Sequence, residues 1–318
     1  MNERTEFDSP IFKILANNDT GQAVGHQGGI VIPKELDPYF PNLASKIGFS
    51  NPTVDETITI SLFVGNSPKG IVQSRYQYQT WGQTRSPERR LTSNLTAIRN
   101  IAHANDVLLI ERHLINPKFY RLQLIQPSDP KFELVKSKIG NRRWGPLDKS
   151  DAPATEQAVL EALGEQKDHE SKPFQMFDNM AVLVETKVSK IARSRAFQQS
   201  VTRLYQCRCA VCNQGFVTPD SLSEIEAAHI VPRGMKGSDD ARNGLALCRS
   251  HHWAFDRGLF GVEPTGFIFV PQKILKLAQN QSLSLFASKK LVEPSNSSLS
   301  PSPVALKWHI DNIVKQHF

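Results

Sequence analysis

Between Ile30 and about Leu134 the chain alternates short aliphatic and β-branched runs, GIVIP, ETITISLFVG, DVLLIER and YRLQLI, with Pro, Gly and Asn breaks. Runs of this kind suit a pleated, half-buried surface, so the first half is predicted to be a mixed, mostly β domain with few helices. From Asp151 to about Lys172 the composition shifts to Ala, Glu and Gln, and Ala158, Val159, Ala162 and Leu163 share one face of a short amphipathic helix. This stretch reads as a linker carrying a helix, with membership of the first domain as the open alternative. Helical spacing returns at Phe197, Val201, Leu204 and Tyr205, which predicts a helix packing one face onto whatever follows. VEPSNSSLSPSPV, near the end, is a Pro/Ser-rich exposed loop ahead of the closing segment ALKWHIDNIVKQHF.

The segment AAHIVPRGMKGSDDARNGLALCRSHHWAFDRG changes the picture from fold to chemistry. Its pattern fits a short hairpin feeding a helix, with His229 on a strand, Asn243 where the chain returns and His252 on the helix. A base, an orienting amide and a metal ligand come in that order in a metal-dependent nuclease site. His252 and Asp256 lie one helical turn apart, so both side chains leave the same face and can share one divalent ion. Taken singly, a histidine is more often ordinary surface or core, and Asn243-Gly244 is a turn signal.

The four cysteines are Cys207, Cys209, Cys212 and Cys248. No apolar stretch is long enough for a signal peptide or membrane span, which predicts a cytoplasmic protein with no membrane partner and argues against disulfides. Cys209-x-x-Cys212 and Cys248-x-x-His251 instead have the spacing of two zinc knuckles, a structural Cys₃His site with no open position for water. Cys207 is the alternative to Cys209, and buried free thiols are the plainer reading of all four.

From Arg193 to about Val270 the chain resembles the HNH endonucleases of bacterial restriction enzymes. FQQSVTRLYQCRCAVC resembles their lead-in helix and first knuckle, and EAAHIVP, NGLALC and HHWAFDRGLF resemble their core. The resemblance implies a ββα-metal fold, with His229 as general base and Asn243 orienting that base and its loop. His252 and Asp256 would hold Mg²⁺ or Mn²⁺, and the closing helix would be that of the family. One departure is Ala228, where many relatives carry a metal ligand. Glu226 or Glu224 compensates, or the ion is held by two protein ligands with phosphate and water.

With 318 residues the chain suits two domains, and its net charge of +7 suits a polyanionic partner. Lys69, Arg75, Arg85, Arg89, Arg90 and Arg99 cluster against the single acid Glu88, with Tyr76, Tyr78 and Trp81 interleaved. A solvated basic face is the bland reading, and a surface for phosphates and base edges is the functional one. LANNDTGQAVGHQGGIVIPK and WGQTRSPERRLT resemble the two recognition arms of the EcoRII N-terminal domain family, a DNA-binding pseudobarrel related to the B-three domain of plant transcription factors. The resemblance implies DNA contacts from His26 and Gln27 in the first arm and from Arg85, Glu88, Arg89 and Arg90 in the second.

The expected protein is α+β. A DNA-recognition pseudobarrel spans residues 7–148, a helical connector 149–185 and a zinc-stabilised HNH domain 186–318. The expected function is a type II-like restriction endonuclease acting on double-stranded DNA, with a homodimer left open. A modification-dependent nuclease and a non-catalytic DNA-binding regulator are the alternatives.

Overall fold

The computed structural model describes residues 6–22, 28–48, 51–81, 86–178, 187–219 and 222–318, with backbone alone for 187 and 188. The chain divides into two compact units, Met1–Ala158 and Val159–Phe318. The division falls in the first turn of the helix expected in the connector.

The first unit is built on eight strands: β1 (Ile11–Ile14), β2 (Ile30–Val31), β3 (Thr53–Val64), β4 (Ser67–Gln79), β5 (Glu88–Leu91), β6 (Val107–Arg112), β7 (Phe119–Ile125) and β8 (Trp144–Pro146). They form one sheet in the order β2-β5-β4-β3-β7-β6-β1-β8. The pairing of β3 with β7 is parallel and the others are antiparallel. A 3-10 turn at Lys34–Tyr39 touches both β5 and β8, strands from opposite ends of that order, so the sheet curls into a half-barrel. Alternation explains the inner face: Ile58, Ile60 and Leu62 of β3 are buried, as are Tyr120, Leu122 and Leu124 on β7. Phe40 fills the middle, stacked on Tyr76 at 4.9 Å and on Tyr120 at 5.1 Å.

The uninterrupted run VLLI of β6 has a different cause. Its other face, with Phe12 and Ile14 of β1, is covered by Val135 and Ile139 of a helix at Phe132–Ile139. A strand buried on both faces has no polar side to alternate. In this unit α1 is the short turn Thr96–Arg99 and α2 the covering helix Phe132–Ile139.

Lys13 sits on β1 and is buried, which an unpaired ammonium would not tolerate. Its Nζ donates to Asp19 Oδ1 at 2.6 Å and to the Val31 carbonyl. Asp19 also accepts from the amides of Val31 and Ala16, both at 2.8 Å. Arg99 donates to the carbonyls of Asp19 and Thr20. These bonds pin both ends of the segment between β1 and β2, the first expected recognition arm. Gly29 has φ +144°, and a Cβ there would lie 2.5 Å from the Leu91 carbonyl, so only glycine lets the arm return against β5.

The second unit holds α3 (Glu156–Glu170) from Val159 on, α4 (Lys187–Leu204), the antiparallel hairpin β9 (Glu226–His229) and β10 (Gly244–Leu247), and α5 (Arg249–Asp256). After these come β11 (Gly261–Val262), β12 (Ile268–Phe269), α6 (Gln272–Leu275) and α7 (Pro303–Asn312). Phe197 and Val201 of α4 and Tyr205 just after it, at the spacing seen in the sequence, pack in one core with Ala227, Leu245, Leu247 and Phe255. α4 passes so close to the hairpin that a Cβ on Gly244 would lie 2.5 Å from Val201.

His309 locks α7 onto α5. It stacks on Phe255 at 3.8 Å and its Nε2 donates to the Phe255 carbonyl at 3.2 Å, while Nδ1 has no hydrogen-bond partner among the described residues. Burial pushes this imidazole down from 6.5 to about 4. A folded value below the unfolded one means that the unfolded chain binds more protons between the two. The stabilisation is therefore complete above about pH 6.5 and is lost progressively as pH falls to about 4. Across that window acid should cost the second unit about 3 kcal/mol through this one group. Urea unfolding of wild type and His309→Gln at several pH values checks this, with the variant expected to show the smaller acid loss.

Candidate active site and metal-binding knuckles

The hairpin places Gly244 opposite His229, Leu245 opposite Ala228 and Leu247 opposite Glu226. Asn243 is fully buried at the return. Its Oδ1 accepts from the Val231 amide at 2.9 Å, and its Nδ2 donates to the carbonyls of Val231 and Ser238 at 3.1 and 2.8 Å. The asparagine therefore zips the loop between the strands, and its carbonyl receives the Ile230 amide directly after the histidine.

The His229 ring is held by other groups. Its face lies flat on Phe197, with centroids 3.7 Å apart, and its Nε2 is 3.0 Å from Asp239 Oδ1. Arg193 and Arg233 bring Nε atoms within 3.6 and 3.5 Å of the Asp239 carboxylate, and both also reach Asp178. Sequence reasoning used Phe197 only as core and did not find Asp239. One acid in a turn-rich GSDDARNG stretch carries no periodic signal.

On α5, His252 Nε2 lies 3.6 Å from Asp256 Oδ1, one turn on. His252 is buried and Asp256 is exposed. A donor set of imidazole and carboxylate, open to water on one side, fits a divalent cation that also binds phosphate. The other ring nitrogen of His252 is 2.7 Å from Glu226 Oε2. Of the two carboxylates weighed against Ala228, then, Glu226 meets His252. Glu224 accepts from the Phe216 amide in its own loop. A carboxylate on the far nitrogen of a ligating histidine fixes the tautomer that leaves Nε2 free to bind an ion.

The donor atoms of Cys209, Cys212, Cys248 and His251 all lie within 4.8 Å of one another. A tetrahedron with zinc–sulfur bonds of about 2.3 Å has edges of about 3.7 Å, so these spacings suit zinc. His251 Nδ1 is 3.1 Å from Cys248 Sγ and 3.4 Å from Cys209 Sγ. Of the two sequence alternatives Cys209 joins the quartet, while Cys207 stays in the turn that ends α4. Hydrogen bonds from Cys209 and His251 pull the Cys248 thiol down to about 3, whereas its bond to Cys248 and burial push Cys209 up. Thiols crowded this closely cannot all ionise without a cation among them.

In the first unit, Arg89 and Arg90 differ sharply from a solvated face. Arg89 is buried, pairs with Asp37 at 2.5 Å and lies 4.2 Å over the Tyr78 ring. Arg90 pairs with Glu88 at 2.7 Å. Tyr76 belongs to the core and Arg99 to the arm's anchor. His26, Gln27 and Arg85 lie outside the described residues.

Residues 209–263 match the family model described as HNH endonuclease. No curated protein matches the chain. Solved structures similar to it include the N-terminal domain of Helicobacter pylori LlaJI.R1, at 15% identity and TM-score 0.29, covering 43% of this chain and 95% of that one. The modification-dependent TagI restriction endonuclease is 14% identical with TM-score 0.29, covering 70% of this chain and 58% of that one. The B3 domain of the UbaLAI restriction endonuclease, solved as a mutant with cognate DNA, is 20% identical with TM-score 0.28, covering 40% and 74%. No helix among the described residues is long and apolar enough to cross a membrane.

Proposed function

We propose that this chain is a restriction endonuclease, with the first unit reading double-stranded DNA and the second hydrolysing a phosphodiester bond. The observation that carries the reading is one ββα unit, β9–β10–α5, that bears a restrained imidazole at His229 and an imidazole–carboxylate pair at His252 and Asp256. It lies within the stretch that matches the HNH family. His229 takes a proton from water, which attacks phosphorus in line with the leaving 3′ oxygen. His252 and Asp256 would hold Mg²⁺ or Mn²⁺, which when bound stabilises charge on the phosphate and leaving oxygen. Glu226 fixes the His252 tautomer. The products carry 5′-phosphate and 3′-hydroxyl ends.

In the first unit the reading assigns base and phosphate contacts to the arms, with His26, Gln27 and Arg85 among the DNA-contacting residues that the resemblance implies. Glu88 and Arg90 act there as a pair, and a carboxylate beside an arginine can accept from cytosine N4. Arg89 serves by holding β5 to the 3-10 turn through Asp37.

The test is incubation with phage DNA and Mg²⁺, using unmethylated and methylated preparations, followed by mapping of the ends. Discrete fragments from unmethylated DNA are the expected result. Cleavage confined to methylated DNA would make the enzyme modification-dependent. Duplex binding without cleavage under either condition would leave a DNA-binding regulator.

A further inference from the structure

We propose that Asp239 is the positioning carboxylate of the general base, fixing His229 in the tautomer whose Nδ1 takes the proton. The inference rests on the nuclease reading for its kinetic consequence, while the tautomer itself follows from geometry.

An ionised carboxylate offers only acceptor oxygens. Asp239 Oδ1, 3.0 Å from His229 Nε2, therefore requires that nitrogen to be the donor, and neutral imidazole has one N–H. The lone pair is left on Nδ1. Phe197 holds the ring flat at an interplanar angle of 13°, so the bond sets the ring's rotation within its plane and the phenyl sets its tilt. The carboxylate is itself placed from two elements, Arg193 of α4 and Arg233 of the turn at Arg233–Met235. Asp178 braces both guanidinium groups from a third segment. An imidazolium formed after proton transfer would sit beside the Asp239 charge, which lowers the cost of forming it.

A merely structural Asp239 would hold the loop between β9 and β10 and do nothing to the base. Asn243 already ties that loop with three hydrogen bonds, two of them to Val231 and Ser238 carbonyls.

Two measurements on the full chain decide the matter. Selective ¹⁵N-histidine labelling, with His229→Gln used for assignment, reads the tautomer of the wild type without DNA. The Nε2–H form is expected, and an Nδ1–H form would overturn the proposal whatever the enzyme cleaves. The second is kcat for Asp239→Asn. The variant should lose roughly 10²- to 10⁴-fold in kcat with duplex binding in Ca²⁺ retained. An unchanged kcat would overturn the proposal. Wild-type protein that cuts no DNA would defeat the nuclease reading alone, and the tautomer would then decide the placement of Asp239.

Discussion

Replacing His229 by alanine is expected to lower the cleavage rate by about 10²- to 10⁴-fold while leaving duplex affinity close to wild type. The reason is that the imidazole contributes at its ring edge and little elsewhere. Its backbone stays in the β9–β10 pairing opposite Gly244, and its stacking partner Phe197 remains in the core with Val201 and Tyr205. The ring's loss removes the proposed proton acceptor but leaves the His252–Asp256 pair and the Glu226 contact in place. Single-turnover cleavage with saturating enzyme, beside a binding isotherm in Ca²⁺, separates the two effects. Near-normal cutting by this variant would move the base to another residue.

Zinc removal should have the larger structural effect. Freshly purified protein should contain about one zinc per chain, and a strong chelator should unfold the second unit while the eight-stranded sheet persists. The quartet joins the segment after α4 to the first turn of α5, so one ion ties the start of the hairpin region to its end. Metal binding in small zinc modules is worth on the order of 10 kcal/mol. That is comparable to the whole stability of a domain. The first unit has separate cores of its own around Phe40 and Phe12. Elemental analysis and circular dichroism during chelation check both halves of this expectation. Zinc-free protein that remains folded would remove the metal from the knuckles.

Much of the second unit was legible because its signals are local. Cys-x-x-Cys and Cys-x-x-His fix ligands by spacing, and Phe197, Val201 and Tyr205 fix a helix face by period. What sequence could not supply was contact across the chain. Asp239 meets His229 only because the loop folds back, and Arg193 arrives from α4. The choice between Glu226 and Glu224 turned on where β9 begins: Glu226 is its first residue and meets His252, whereas Glu224 lies in the preceding loop on the Phe216 amide, which spacing alone leaves open. In the first unit the strands were visible as runs, but the placement of individual arginines in the basic cluster was not. A count of arginines says nothing about partners, and Asp37, far along the chain, takes Arg89 into the interior.

Asp19 has a consequence for how the first arm can meet a ligand. One carboxylate receives the Lys13 ammonium and the amides of Ala16 and Val31, so the chain entering the arm and the chain leaving it are fastened at one point. Closing a loop is an entropic cost that grows only slowly with its length, and here it is met during folding. A segment clamped at its base has fewer arrangements to surrender when it is immobilised, and that lowers the penalty charged against every contact it makes. On the proposed reading, binding strength at this arm would therefore depend on the buried Lys13–Asp19 pair at its base.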